Sequence, residues 1–254
     1  MPRFCANLTM MFTEVPFLDR FERAARAGFQ AVEMLFPYEA PASEVRAAAN
    51  GAGVEIALFN APPGSWDNGD RGLAAMPGKQ AEFQAAFAQA MDYAVVLQPR
   101  SLHLMSGLTK DAAATDTLIE NLRWAAEQAP DQQMAIEPIN TRDIPGYFLN
   151  TTDQAIEILD AAGAPNIGLQ FDIYHVQIME GDLTRRLERL AKRIVHVQLA
   201  GVPDRHEPDA SEVGLSHVMA VLDRIGFAGW VGCEYRPAGR TEDGLSWLRQ
   251  FDVP

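Results

Sequence analysis

Short apolar runs alternate with longer amphipathic stretches along the whole chain. RFCANL (3–8), AVEMLF (31–36), VEIALFN (54–60) and SLHLMSG (101–107) read as buried strands. MAIEPI (134–139), IGLQFDIY (167–174), RIVHVQLAG (193–201) and GWVGCEYRP (229–237) continue the series. Residues 16–28, 42–52, 79–97, 110–129, 151–163, 183–192 and 211–226 carry helical periodicity, and 241–251 closes the chain. Ser43 is expected to cap the second helix, and Gly28 and Gly163 to end the first and fifth. Eight βα units, repeating about every 30 residues, are the signature of a parallel sheet. A doubly wound open sheet should carry a glycine-rich phosphate loop after its first strand. ANLTMMFTE has no glycine there. The expected fold is α/β, a single (β/α)8 TIM barrel spanning 1–254 as one domain.

Four polar residues fall at or near the C-terminal ends of the last four runs. They are Glu137 in MAIEPIN, Asp172 in IGLQFDIYH, Gln198 in IVHVQLAG and Glu234 in WVGCEYRP. Barrel closure brings these ends to one mouth, where barrel enzymes do chemistry. Three carboxylates and one amide suit a hard divalent cation, Mg2+ or Mn2+ rather than zinc. Two glutamates flanking that cation offer a base on one face of a substrate and an acid on the other. His175, three residues after Asp172, is a candidate to bind substrate or orient a ligand. Gln198 is preferred to His196 at the mouth, one being assigned to the barrel interior and the other to the helix layer. Arg71, Lys79 and Arg205 are the cations expected near the mouth, with Arg205 in PDRHEPD the best placed to hold an anion. His206 and Glu207 share its loop. The third loop, 61–78, carries Trp66 and NGDRG and reads equally well as a lid or as surface.

Composition narrows the partners. Hydrophobic residues make up 48% of the 254, enough for a large core. Net charge is −13, which opposes a phosphate backbone and argues against nucleic-acid binding. A small anion can still be drawn in by a local cation. Cys5 and Cys233 have no metal or redox spacing and read as buried thiols, as expected in a reducing cytoplasm. No signal peptide or membrane span is expected. Met10, Met11 and Phe12 offer an apolar surface for a homo-oligomer.

MPRFCANLTMMFTEVPFLDRF, EMLFPY, EPINTRDIPGYFL, FDIYHVQIMEGDLT, HVQLAGVPDRHEP and GWVGCEYRP resemble the hydroxypyruvate isomerase family, which includes the 2-oxo-tetronate isomerases. That family lies within the xylose-isomerase-like TIM-barrel superfamily. The resemblance covers essentially the whole chain. It implies isomerisation of a small anionic hydroxy-oxo acid through an enediolate, hydroxypyruvate giving tartronate semialdehyde. The family's proton-transferring glutamates fall on Glu137 and Glu234, and the superfamily's metal shell on Glu137, Asp172, Gln198 and Glu234. Ketose epimerase relatives have histidine where this chain has Gln198. Endonuclease-IV-like trinuclear zinc needs many histidines, and this chain has five in all. The N-terminal segment and the PDRHEPD loop look more like 2-oxo-tetronate isomerases; EPINTRDIPGYFL and QFDIYH look more like hydroxypyruvate isomerases. A non-catalytic sugar-acid-binding barrel is the alternative from another class.

Overall fold

A computed structural model describes residues 2–251. Eight strands alternate with helices: β1 (Arg3–Asn7), β2 (Ala31–Met34), β3 (Glu55–Asn60), β4 (Ser101–His103), β5 (Met134–Ile136), β6 (Ile167–Asp172), β7 (Ile194–Leu199) and β8 (Trp230–Cys233). Each pairs in parallel with the next, and β8 returns to β1, with Cys5 opposite Gly232, so the sheet is a closed barrel. The helices are α1 (Arg20–Arg26), α2 (Ala42–Ala52), α3 (Gln80–Leu97), α4 (Ala114–Gln128), α5 (Thr152–Ala162), α6 (Ile173–Met179), α7 (Leu183–Leu190) and α8 (Leu215–Arg224). The expected (β/α)8 barrel is therefore the one observed. Among the described residues, no helix is long and apolar enough to cross a membrane.

Most of the apolar core lies between the strands and the helix layer, as alternation in a barrel requires. A small plug of Cys5, Ala31, Ala57 and Trp230 forms a separate buried cluster. Two residues further along the same faces of β1 and β2 come Asn7 and Glu33, both buried. The barrel thus turns polar toward the C-terminal ends of its strands.

Five expectations need correction. β6 stops at Asp172, because its carboxylate Oδ1 accepts the Tyr174 N–H at 2.7 Å and starts α6, which the apolar run conceals. β4, β5 and β8 are shorter than their apolar runs, which continue into the mouth. Helix α2 begins at Ala42 after Pro41, with no side-chain cap, so Ser43 lies inside it. The final segment, Thr241–Phe251, is 3-10 helix rather than α-helix. It packs Trp247 and Phe251 against Phe4, with ring centroids 5.3 Å apart in each case. Thr241 accepts the Phe12 N–H at 2.7 Å. Met11 and Phe12 are core residues, so they offer no surface to a second copy.

The third loop is stitched down along its second half. Gly72 bridges Ser106, and the N–H groups of Ala74 and Ala75 donate to Met105 and Ser106 carbonyls at 3.1 and 2.8 Å. Gly72 has φ +127°, and a Cβ there would lie 2.4 Å from the Met105 carbonyl oxygen. Only glycine fits that approach.

Candidate active site

Glu137 is the first residue after β5, Asp172 the last of β6 and Glu234 the first after β8. All three are buried. With His175, from the first turn of α6, they bring one ligating atom each to within 4.8 Å of one another. The sequence-based grouping of Glu137, Asp172 and Glu234 is therefore seen as geometry, with His175 among them. A cavity of about 530 Å³ opens above, lined by Glu137, His175, Arg205 and Glu234, and further out by Trp66, Arg71, Arg142 and Arg236.

Burial dominates the electrostatics. It pushes the Glu137 carboxyl well above the carboxylate range, and Glu234 and Asp172 add to the effect. Glu234 is pushed up to about 8 by burial, against the opposing charge of Arg205. Asp172 rises to about 6 by burial, held there by Arg205 and by the N–H groups of α6. Three acids facing one arginine need a further cation or protons to balance them.

Arg205 is the cation built into the cluster. Its Nη2 donates to Glu234 Oε2 at 2.5 Å, its Nη1 lies 3.6 Å from Asp143, and its guanidinium stands over the Tyr174 ring at 5.0 Å. Its backbone is left-handed, φ +58°, held by an N–H bond to Gly201 at 2.8 Å. Arg71 also reaches the cavity, stacked 3.8 Å from the Trp66 ring centroid. Lys79 does not; it pairs with Asp70 and Glu82 at the surface. His206 and Glu207 hold loops together, through the Arg236 carbonyl and the Ala238 N–H. Arg142 and Arg236, which the sequence reading passed over, line the cavity instead.

The tautomer of His175 follows from its neighbour. Asn140 accepts the Asp143 N–H on its Oδ1, so its Nδ2 donates to His175 Nδ1, at 2.6 Å. Burial, followed by Arg205, holds the ring neutral. Its remaining proton is then on Nε2, facing Asp172 Oδ2 at 3.5 Å and Glu137 Oε1 at 3.8 Å. His175 is a hydrogen-bond donor at the centre of the site.

Gln198 sits lower. Its Nε2 donates to Glu33 Oε1 at 2.8 Å, and its Oε1 accepts from Gln170 at 2.6 Å. His196 also points inward, 2.6 Å from Glu33 Oε2. Residues two apart on a strand share a face, so assigning His196 and Gln198 to opposite layers is wrong. Glu33 is the main residue the sequence reading missed. Its signal is present: one charged residue inside the otherwise apolar AVEMLF. The ionised form is favoured despite burial by His196, Gln198 and Asn7.

A family model described as xylose isomerase-like TIM barrel matches residues 21–251. The chain belongs to that family. Within the family, a 2-oxo-tetronate isomerase of Cupriavidus necator is 49% identical over 99% of both chains. The hydroxypyruvate isomerase of Escherichia coli is 41% identical, covering 99% of this chain and 100% of its own. A Brucella melitensis crystal structure, described as AP endonuclease, family 2, superposes with a TM-score of 0.97 at 47% identity, over 99% of both chains. A D-psicose 3-epimerase of Clostridium cellulolyticum, at 17% identity and TM-score 0.78 over 96% of this chain and 89% of that one, shares the fold.

Proposed function

We propose that this chain, an enzyme of the hydroxypyruvate isomerase type, moves a carbonyl between C2 and C3 of a short hydroxy-oxo acid, with hydroxypyruvate and tartronate semialdehyde as the pair. The observation that carries the reading is the buried pair Glu137 and Glu234, joined by Asp172 and His175 around one small volume. One glutamate takes a proton from the hydroxyl-bearing C3, and the enediolate of C2 and C3 forms. The other returns a proton to C2, while the hydroxyl proton passes from the C3 oxygen to the C2 oxygen. The roles exchange with direction. A carboxyl whose pKa is raised by burial is a suitable proton carrier near neutral pH. His175 Nε2–H donates to a substrate oxygen. Arg205 holds Glu234 in place and, with its remaining N–H groups, attracts the substrate carboxylate.

The residues fit a divalent cation. Glu137 Oε1 and Asp172 Oδ2 are buried and without a hydrogen-bond partner, an arrangement a cation would complete. Glu137, Asp172 and Glu234 would hold Mg2+ or Mn2+, joined by Gln198, whose carbonyl oxygen keeps a second lone pair. Such an ion supplies electrostatic stabilisation of the enediolate oxygens when bound.

A second reading keeps the same machinery and lengthens the substrate by one hydroxymethyl group. The 49% identical relative named as a 2-oxo-tetronate isomerase favours it, and the cavity has room for the extra group. Proton NMR in D2O with hydroxypyruvate, the four-carbon 2-oxo acid and a neutral ketose separates these readings. Deuterium uptake with carbonyl transfer in one or both acids, and no action on the ketose, is expected. Binding of the acids without deuterium uptake would make the chain a non-catalytic sugar-acid-binding barrel.

A further inference from the structure

Below the catalytic mouth lies a second buried polar group that the proton-transfer scheme does not use. Glu33, fully buried in β2, accepts four contacts: His196 Nε2 at 2.6 Å, Gln198 Nε2 at 2.8 Å, Asn7 Nδ2 at 3.0 Å and the more distant Cys5 Sγ at 3.6 Å. Two of these donors are side-chain amides that reach upward. The Asn7 Nδ2 that binds Glu33 also donates to Glu234 Oε1, at 3.3 Å. Gln198 Oε1, on the far side of its amide from Glu33, accepts from Gln170, which lies beside Glu137 and favours its charged form. Glu33 therefore lies at the middle of an arc of buried side chains running from one proton-carrying glutamate to the other.

An amide has nearly the same shape with its nitrogen and oxygen exchanged, so packing alone does not fix its direction. A carboxylate does, since it accepts from nitrogen and repels oxygen; at Asn7 the Thr9 N–H, donating to Oδ1 at 3.1 Å, sets the same direction. The cavity for that carboxylate is shaped by the backbone. A Cβ at Gly232 would lie 2.3 to 2.5 Å from its three terminal atoms.

We propose that Glu33 is a positioning residue, whose carboxylate fixes the amides of Asn7 and Gln198 with nitrogen downward, giving Glu234 a donor and turning the Gln198 oxygen toward the acidic cluster. The kinetic consequence rests on the isomerase reading above; the orientation itself does not. Supporting shells of this kind are worth about 10- to 100-fold in activity.

The test has two parts. In 15N-labelled full-length protein, the side-chain NH2 protons of Asn7 and Gln198 should exchange slowly with solvent, and at least tenfold faster in Glu33→Gln. Unchanged exchange overturns the proposal. In turnover assays on folded protein, Glu33→Gln should lower kcat by about 10- to 100-fold with KM nearly unchanged. Asn7→Ser should cost much less on that background than in the parent. Full additivity, or a parent-like kcat, overturns the proposal. A residue that merely held the barrel together would lower Tm without this split. If Glu33→Gln does not fold, Glu33→Asp replaces it: His196 keeps a charged partner while the carboxylate withdraws from the amides, and the same outcomes decide. A parent protein with slow NH2 exchange but no turnover of either acid would sink the isomerase reading and leave the positioning role standing.

Discussion

At the scale of single residues, Glu137 and Glu234 are buried acids that both feel Asp172 and Arg205, and Glu234 feels Glu33 as well. Glu137→Gln and Glu234→Gln should each reduce kcat by about two to four orders of magnitude with Tm close to the parent's; turnover and thermal melts check this together. The sequence marks Arg205 as an anion holder, for which removal mainly raises KM. Its 2.5 Å contact with Glu234 adds a second effect. Arg205→Ala should lower kcat as well, and Arg205→Lys should restore part of it, since lysine supplies the charge without the fork. Metal binding carries a definite pH sign. Without a cation, Glu234, at about 8, holds its proton at neutrality, while Asp172, at about 6, has given most of its own up. A divalent ion must displace the protons these ligands hold, so Mn2+ affinity should rise from pH 5.5 to pH 8.5. Calorimetry in buffers of different ionisation enthalpy reads both the affinity and the protons released. Glu137, Asp172 and Glu234 were legible because a carboxylate ending a buried apolar run must be ligated, paired or at a rim. Glu33 was harder to read because its partners, Asn7, His196 and Gln198, come from strands far apart in sequence.

At the scale of elements, the third loop decides what the mouth presents. Its ladder to Met105 and Ser106 places Arg71, stacked on Trp66, at the cavity. Those contacts tie residues 72–75 to the segment after β4 and put Trp66 and Arg71 on the cavity wall. Gly72→Ala would force a Cβ onto the Met105 carbonyl and strain a left-handed backbone, at a cost of about 1–3 kcal/mol. The expected outcome is a lower Tm and a raised KM for the acid substrate, with kcat less affected; melts and steady-state kinetics measure it. All eight strands were legible because strands buried on both faces read as unbroken apolar runs. Their ends were not, since the chain stays apolar where it lines the mouth. Helix α6 was hidden for the same reason: Asp172 spends one oxygen starting it and leaves the other to the site. Thr151, by contrast, caps α5, accepting the Gln154 N–H at 3.3 Å.

At the scale of the whole molecule, charge and shape argue together about partners. A net charge of −13 surrounds a mouth whose arginines sit inside a cavity rather than along an open groove. Although one solved relative is described as an AP endonuclease, this chain should neither bind nor nick duplex DNA containing an abasic site at physiological salt. Gel shift and nicking assays with Mg2+, Mn2+ and Zn2+ check it, and nicking that Glu137→Gln abolishes would reverse the assignment. The closed barrel also sets an order of events during synthesis. β1 can pair with β2 as soon as both have left the ribosome, but its other edge waits for β8, since Cys5 faces Gly232. Until then the first strand shows a row of unpaired backbone groups, and the pairing most distant in sequence is the slowest to form. A chain whose β8 is still inside the ribosome therefore cannot close the barrel, and any sheet it forms keeps a sticky margin. It is that half-made species, rather than the finished enzyme, that a chaperone would need to shield.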